Sequence, residues 1–328
     1  MYKRFYNLQR HPFEITPDPS FLFATKRHNE ALAALYYGVK RRKGFVVMTG
    51  EVGTGKTLLV RCLLQLLKGT NVSYAYVFNS RLSSAEFLQY VAGDFGLPFS
   101  GKTKSELLLE LGSFLVARHQ KELTTLLVAD EAHHLSAEVL EEVRLLTNLE
   151  TAHGKLLQIL LVGQPELDEM LDSIELRQLK QRIALRAQLL PLDLEETRGY
   201  IQRRLQLAGA NSHAGTIFSE ETLVEVYRHS RGLPRLINTI CENALIGGYA
   251  RQLRSVPPDI IGEVAADFRL NVARPSRAPE IVRNDNNELW QAMKTLLQLH
   301  DQLPGMRSRD SESLLPPIPG ANKHEPFI

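Results

Sequence analysis

Eight residues constrain this chain more than any others: Gly50-Glu51-Val52-Gly53-Thr54-Gly55-Lys56-Thr57. Their spacing is G-x-x-x-x-G-K-T. Gly44-Phe45-Val46-Val47-Met48-Thr49, immediately before, is an apolar strand-like run, and Leu58 to Leu67, immediately after, reads as a helix. Strand, glycine turn and helix in that order make a concave loop. Gly50, Gly53 and Gly55 can take backbone angles that a Cβ forbids. Neighbouring N–H groups then point inward, and the helix start adds free donors and the positive end of its dipole. Such a cradle, Gly50 through Leu58, suits the phosphates of a nucleotide. Lys56 would reach the β- and γ-phosphates, and the Thr57 hydroxyl would sit on Mg²⁺.

A second stretch matches the first. Thr125-Leu126-Leu127-Val128-Ala129 is continuously apolar, as a strand buried on both faces is. Asp130 and Glu131 stand at its carboxyl end, where open α/β sheets bind ligands. This is a Walker B pattern: Asp130 would hold Mg²⁺ beside Thr57, and Glu131 would polarise the attacking water. A third apolar run, Leu156 to Pro165, ends in Gln164. The residues alone leave open whether Gln164 serves the phosphate and its water or is ordinary turn polarity. His133 and His134 follow the carboxylates directly. Adjacent residues at a helix start do not face one another, so they read as packing or solvated side chains, not as a metal site.

The rest of the chain places these stretches. Residues 1–25 carry prolines at 12, 17 and 19 among aromatics, which excludes a helix across the prolines. Helices are expected over His28–Lys43, Ser83–Val91 with a capping box, Ser105–Gln120, Ser136–Glu150 and Ile174–Arg182. Strands are expected over Val72–Phe78 and Leu185–Leu190. From Pro191 to Phe268 only helical patterns remain. Residues 271–328 are Pro-, Arg-, Ser- and Asn-rich, broken by an amphipathic stretch at about 287–302. The order implies an N-terminal segment (1–43), an α/β core (44–190), a helical unit (191–270) and a tail (271–328). The 328 residues are 44% hydrophobic with net charge +2, so composition demands no nucleic-acid partner. Cys62 and Cys241 sit on separate helical patterns, as buried reduced thiols do. The N-terminus is interrupted by charge, so a cytoplasmic protein without membrane insertion is expected.

Taken together the chain resembles the AAA+ ATPases. Within them it is similar to the general secretion pathway protein A (ExeA-like) family and to the related transposition ATPases of the TnsC/TniB kind. The opening Tyr2…Phe5-Tyr6…Pro12-Phe13…Thr16-Pro17-Asp18-Pro19…Phe21 carries this, with Gly50–Thr57, Asp130-Glu131-Ala132-His133, Val162-Gly163-Gln164-Pro165 and Gly232-Leu233-Pro234-Arg235. The resemblance implies a P-loop NTPase fold: a three-layer αβα core with a parallel sheet, followed by a small all-α lid. It implies hydrolysis of Mg·ATP, with Gln164 as sensor 1 and Arg235 as sensor 2, reaching from the lid. Residues around Phe21–Glu30 would line the adenine side. An arginine finger acting across a subunit interface maps to Arg182, with Arg177 second. Implied partners are further copies in a ring or filament and proteins of a secretion or envelope system; double-stranded DNA belongs to the transposition alternative. Secretion-type relatives carry a membrane segment and a peptidoglycan-binding region after the ATPase. Residues 271–328 are too short and polar for either, so cell-wall anchoring by this stretch is not expected.

Overall fold

Alternation along the strands sorts side chains onto two faces, and helices cover both. The computed structural model describes residues 1–78, 82–152, 154–210 and 214–270; the expected helix near 287–302 lies outside them. The strands are β1 (Phe45–Gly50), β2 (Val72–Val77), β3 (Thr124–Ala129), a short hairpin of β4 (Glu150–Thr151) and β5 (Gly154–Lys155), β6 (Gln158–Gly163) and β7 (Leu185–Leu189). The main sheet runs β2-β3-β6-β1-β7, with every pairing parallel. The inner strands β1, β3 and β6 are buried at every position, whereas edge strands β2 and β7 are mixed. Val46, Met48, Leu126, Val128, Leu160 and Val162 face one layer. That layer holds α2 (Lys26–Lys40) and α3 (Lys56–Leu67). Phe45, Val47, Leu127, Ala129, Ile159 and Leu161 face the other. It comprises α4 (Ser84–Asp94), α5 (Lys104–Gln120), α6 (Ala137–Leu146), α7 (Glu166–Leu171) and α8 (Arg177–Lys180).

A third core is wholly helical. It is built on α9 (Leu194–Leu207), α10 (Ala214–Ile217), α11 (Glu220–Ser230), α12 (Pro234–Ala250) and α13 (Pro258–Asp267), and it also takes in α1 (Tyr2–Phe5) with Leu8 and Phe13. The fold class is therefore the expected one, a parallel-sheet αβα core with an all-α unit after it.

Local chemistry explains most boundaries. The capping box expected at Ser83 forms with Glu86, and two more join Asp193 to Glu196 and Thr103 to Glu106. Pro234 occupies the first turn of α12, where its missing N–H costs nothing. Two expectations fail. The helix expected over Ser136–Glu150 stops at Leu146, and the residues beyond it turn back as the β4–β5 hairpin. The helix expected over Ile174–Arg182 shrinks to Arg177–Lys180, and an unanticipated helix, α7, starts directly after Pro165. A proline fixes φ near the helical value, so Pro165 favours a start here where the sequence suggested only a strand end.

Candidate active site

The register sets the ends of β1 and β6 level and stops β3 two residues short of them, so that Asp130 and Glu131 continue its line. Thr49 of β1 lies opposite Gly163 of β6, and Ala129 of β3 lies opposite Leu161. Chain order reverses around β1, so its carboxyl end opens on a crevice. The loop 50–57 fills that position. Gly53 (φ +83°) and Gly55 (φ +100°) hold left-handed backbone that other residues rarely adopt. Gly50 differs from the expectation: its backbone is not left-handed, and what excludes a side chain is the Leu189 carbonyl, 2.7 Å from where a Cβ would stand.

Lys56 is buried, and its Nζ donates to the carbonyls of Gly50 (2.6 Å) and Glu51 (2.9 Å). Burial lowers its pKa, opposed by the carboxylates of Glu131, Asp130 and Glu51. The Thr57 hydroxyl donates to Asp130 Oδ2 at 3.0 Å, so the two expected metal-holding residues meet. Asp130 Oδ1 accepts from the Glu131 backbone N–H at 2.9 Å. Glu131 itself sits at φ +52°, which turns the chain sharply after β3. Its Oε2 is buried with no hydrogen-bond donor. A hard oxygen cluster of hydroxyl and carboxylates with one orphaned acceptor suits Mg²⁺ and its waters. Thr57 and Asp130 are the residues that would hold the ion, and Glu131 Oε2 has an acceptor to spare.

Gln164 reaches the same end of the sheet. Its backbone N–H donates to His133 Nδ1 (3.3 Å), and its terminal amide lies 2.7 Å from His133 Nε2. The sequence reading of His133 as a packing residue understates this position. Its side chain is 5% exposed, and Nδ1 lies 3.5 Å from Glu131 Oε2. Nor do the two histidines avoid each other: their ring centroids are 4.0 Å apart. The extended turn after Glu131, a 3₁₀ turn and not an α-helix, permits it. Burial and the neighbouring His134 lower the pKa of His133.

One contributor had no signal in the sequence beyond strand periodicity. Tyr76 on β2 donates its hydroxyl to Asp130 Oδ2 at 2.7 Å. Burial and the Asp130 charge push its pKa far above the ordinary tyrosine value. Only the β2–β3 pairing reveals it, since Tyr76 lies opposite Val128, two residues before Asp130.

The flanks close on the loop from two directions. His28, near the start of α2, is buried; its Nδ1 pairs with Thr25 Oγ1 (2.8 Å) and its Nε2 lies 3.5 Å from the Thr54 carbonyl. Burial lowers its pKa. On the helical side, the Arg235 backbone N–H donates to the Gly53 carbonyl at 3.2 Å. Val52 and Leu58 are partly exposed at the loop and helix start. The two candidate fingers lie on other elements: Arg177 is exposed on α8, and Arg182 donates to Thr147 Oγ1 (3.0 Å) beside the end of α6.

A phosphate loop at the switch point of a β2-β3-β6-β1-β7 parallel sheet, followed by an all-α unit, defines a P-loop protein of the AAA+ class. The AAA domain family matches residues 39–171. The chain belongs to the AAA+ family, and within it to the relatives of general secretion pathway protein A. It is 46% identical to that protein from Aeromonas hydrophila over 252 residues, 76% of this chain and 45% of the relative. The match thus spans under half of the relative's length. Among solved structures, the Aeropyrum pernix ORC2 protein in ADPNP-ADP complexes superposes with a TM-score of 0.61 at 19% identity, covering 82% of this chain and 73% of that one. The Aeropyrum pernix ORC1 protein in complex with DNA gives 0.59 at 17%, covering 79% and 69%. At these identities the likeness is one of fold. No helix among the described residues is long and apolar enough to cross a membrane.

Proposed function

We propose that the protein binds Mg·ATP and hydrolyses it to ADP and phosphate, and that turnover drives assembly or remodelling of a secretion or cell-envelope system. The observation that carries the reading is the convergence of Thr57 and Tyr76 on one oxygen of Asp130, with Lys56 and Glu131 alongside. Mg²⁺, when bound, neutralises charge developing on the phosphates. The remaining work falls to this chain. Backbone N–H groups of residues 50–58 bind and orient the phosphates. Lys56 exchanges its two loop carbonyls for phosphate oxygens. Glu131 Oε2 accepts a proton from the attacking water or orients it, and Gln164 fixes that water from the neighbouring strand end. Arg235 enters from α12, whose first turn already rests on the loop. Arg182, or Arg177 in its place, acts on a neighbouring copy's site, which makes self-assembly part of the mechanism.

The 46% identity to general secretion pathway protein A supports the secretion role over a DNA-bound one. So does the use of the basic residues. Arg42 donates to Thr124 Oγ1 and the Glu122 carbonyl and approaches His119. Arg204 is buried, Arg251 pairs with Glu263, and Arg254 donates to the Phe5 carbonyl. Each of these four arginines has a partner within the chain.

The test is a pair of variants and a titration. Lys56→Ala loses tight ATP binding. Glu131→Gln keeps ATP binding and loses turnover; wild-type turnover in that variant overturns the base assignment. The wild-type rate per subunit rises with protein concentration and ignores duplex DNA. Stimulation by DNA that salt abolishes would move the reading to the transposition role.

A further inference from the structure

We propose that His133 is a positioning residue that couples Gln164 to Glu131. The inference rests on the ATPase reading above and deepens it. The imidazole touches both groups. Nε2 faces the Gln164 amide at 2.7 Å, while Nδ1 faces the Gln164 backbone N–H at 3.3 Å and Glu131 Oε2 at 3.5 Å. The ring has little freedom. Its side chain is 5% exposed, its ring lies tilted against that of His134, and its backbone nitrogen lies 3.3 Å from where a Cβ on Gly163 would stand.

The hydrogen-bond inventory fixes what such a ring can do. A neutral imidazole donates from one nitrogen and accepts at the other. Burial favours the neutral ring. With Nδ1 accepting from the Gln164 N–H, the proton is on Nε2; the 2.7 Å contact there is to the Gln164 amide nitrogen, and turning the amide over puts its oxygen where it accepts that proton. Nδ1 then has no proton for Glu131, whose Oε2 is left as an unpaired acceptor. The carboxylate is held beside a lone pair and not a donor, the state in which a base is free to take a proton from water. Loss of the ring frees two things together: the Gln164 amide loses its anchor, and Glu131 gains room to turn away. A packing histidine predicts neither loss as a kinetic effect.

The experiment is a double-mutant cycle on the full chain, read by steady-state turnover and, separately, by fluorescence of a ribose-labelled ATP analogue. His133→Ala lowers kcat on the order of tenfold or more, the scale of a misplaced catalytic group, with the analogue's Kd held within about twofold. Because both variants break one unit, His133→Ala/Gln164→Ala loses no more than the worse single variant. His133→Asn, which can restore an acceptor near the Nδ1 position, recovers part of the rate and keeps the test open if the alanine variant folds poorly. Independent, multiplying losses overturn the proposal, as do equal losses in Kd and kcat with a lowered melting temperature. Glu131→Gln runs alongside. If it is inactive while His133→Ala turns over normally, only the His133 inference fails. If Glu131→Gln itself turns over normally, the base assignment fails and the role of His133 with it; only a wild-type protein that binds no ATP or turns none over sinks the ATPase reading.

Discussion

Gly53 and Gly55 offer a measurement of how firmly the helical unit rests on the phosphate loop. Both have left-handed backbone, so Gly53→Ala and Gly55→Ala each carry a strain of about 1–2 kcal/mol. Their surroundings differ. A Cβ on Gly55 has nothing nearer than His28 Nε2 at 3.9 Å, an ordinary contact. A Cβ on Gly53 would lie 2.7 Å from Arg235 Cβ. Carbon atoms rest at about 3.5–4.0 Å, so α12 must retreat by about 1 Å. The Arg235 N–H to Gly53 carbonyl bond, already 3.2 Å long, does not survive that retreat. Its net worth is about 0.5–1.5 kcal/mol. Urea unfolding followed by circular dichroism should therefore show Gly53→Ala about 1 kcal/mol less stable than Gly55→Ala. The clash is with a Cβ, so Arg235→Gly relieves it and Arg235→Ala does not. The cycle of Gly53→Ala with Arg235→Gly should recover about 1 kcal/mol of coupling, and the cycle with Arg235→Ala none. Equal costs for the two glycine variants, or no coupling to Arg235→Gly, refute the contact as drawn.

Three further outcomes follow from the site and core. Tyr76→Phe removes one of three donors to Asp130, so the Mg²⁺ needed for half-maximal binding of a fluorescent ATP should rise about tenfold; an unchanged requirement contradicts the assignment. Burial holds His28 below its ordinary 6.5, so the unfolded chain takes up that proton first and stability falls as pH drops below 6.5. His28→Gln should flatten that part of the decline in unfolding midpoints measured between about pH 7 and pH 5.5, and an unaltered slope rejects it. Cys62, buried on α3, is pushed up to about 12 and Cys241 is raised further by complete burial, so at pH 8 only about 10⁻⁴ of Cys62 is thiolate. A disulfide thiol reagent should label neither residue in the native protein and both after unfolding.

The candidate site was legible in the sequence where a single residue type answers a single physical need. A loop that wraps phosphate needs glycines, a lysine and a hydroxyl in a fixed order, and residues 50–57 declare it. A buried strand ending in two carboxylates declares itself through its apolar run. The Thr57–Asp130 bond follows from the two motifs together. What stayed hidden depends on neighbours in space. Tyr76 looks like any strand tyrosine until β2 is laid against β3. His133 looks like a packing residue until the turn at Glu131 carries it to Gln164. The α6 and α8 boundaries were misread for a related reason: helical periodicity continues through residues 147–150 and 174–176, while hairpin pairing and the Pro165 start decide the outcome.

The opening segment gains its meaning only from this arrangement. Prolines at 12, 17 and 19 keep a continuous helix out of it, and some of its carbonyls find their partners outside the segment. Two of those carbonyls are taken by arginines from opposite sides of the molecule. Arg204 of α9 donates to Pro12 at 2.7 Å, and Arg61 of α3 donates to Pro17 at 2.8 Å. Arg204 is buried, a costly position for a charge unless it is paired or stacked. It lies 5.0 Å from the ring centroids of both Phe21 and Tyr200, while Arg10 covers Phe21 at 4.5 Å and pairs with Asp18. Tyr2, Tyr6, Leu8 and Phe13 are buried in the helical core, and Leu22 in the layer of α2 and α3. The segment is thus tied to both cores: Tyr2, Tyr6, Leu8, Phe13 and Phe23 to the helical unit, and Pro17 and Leu22 to the layer of α3.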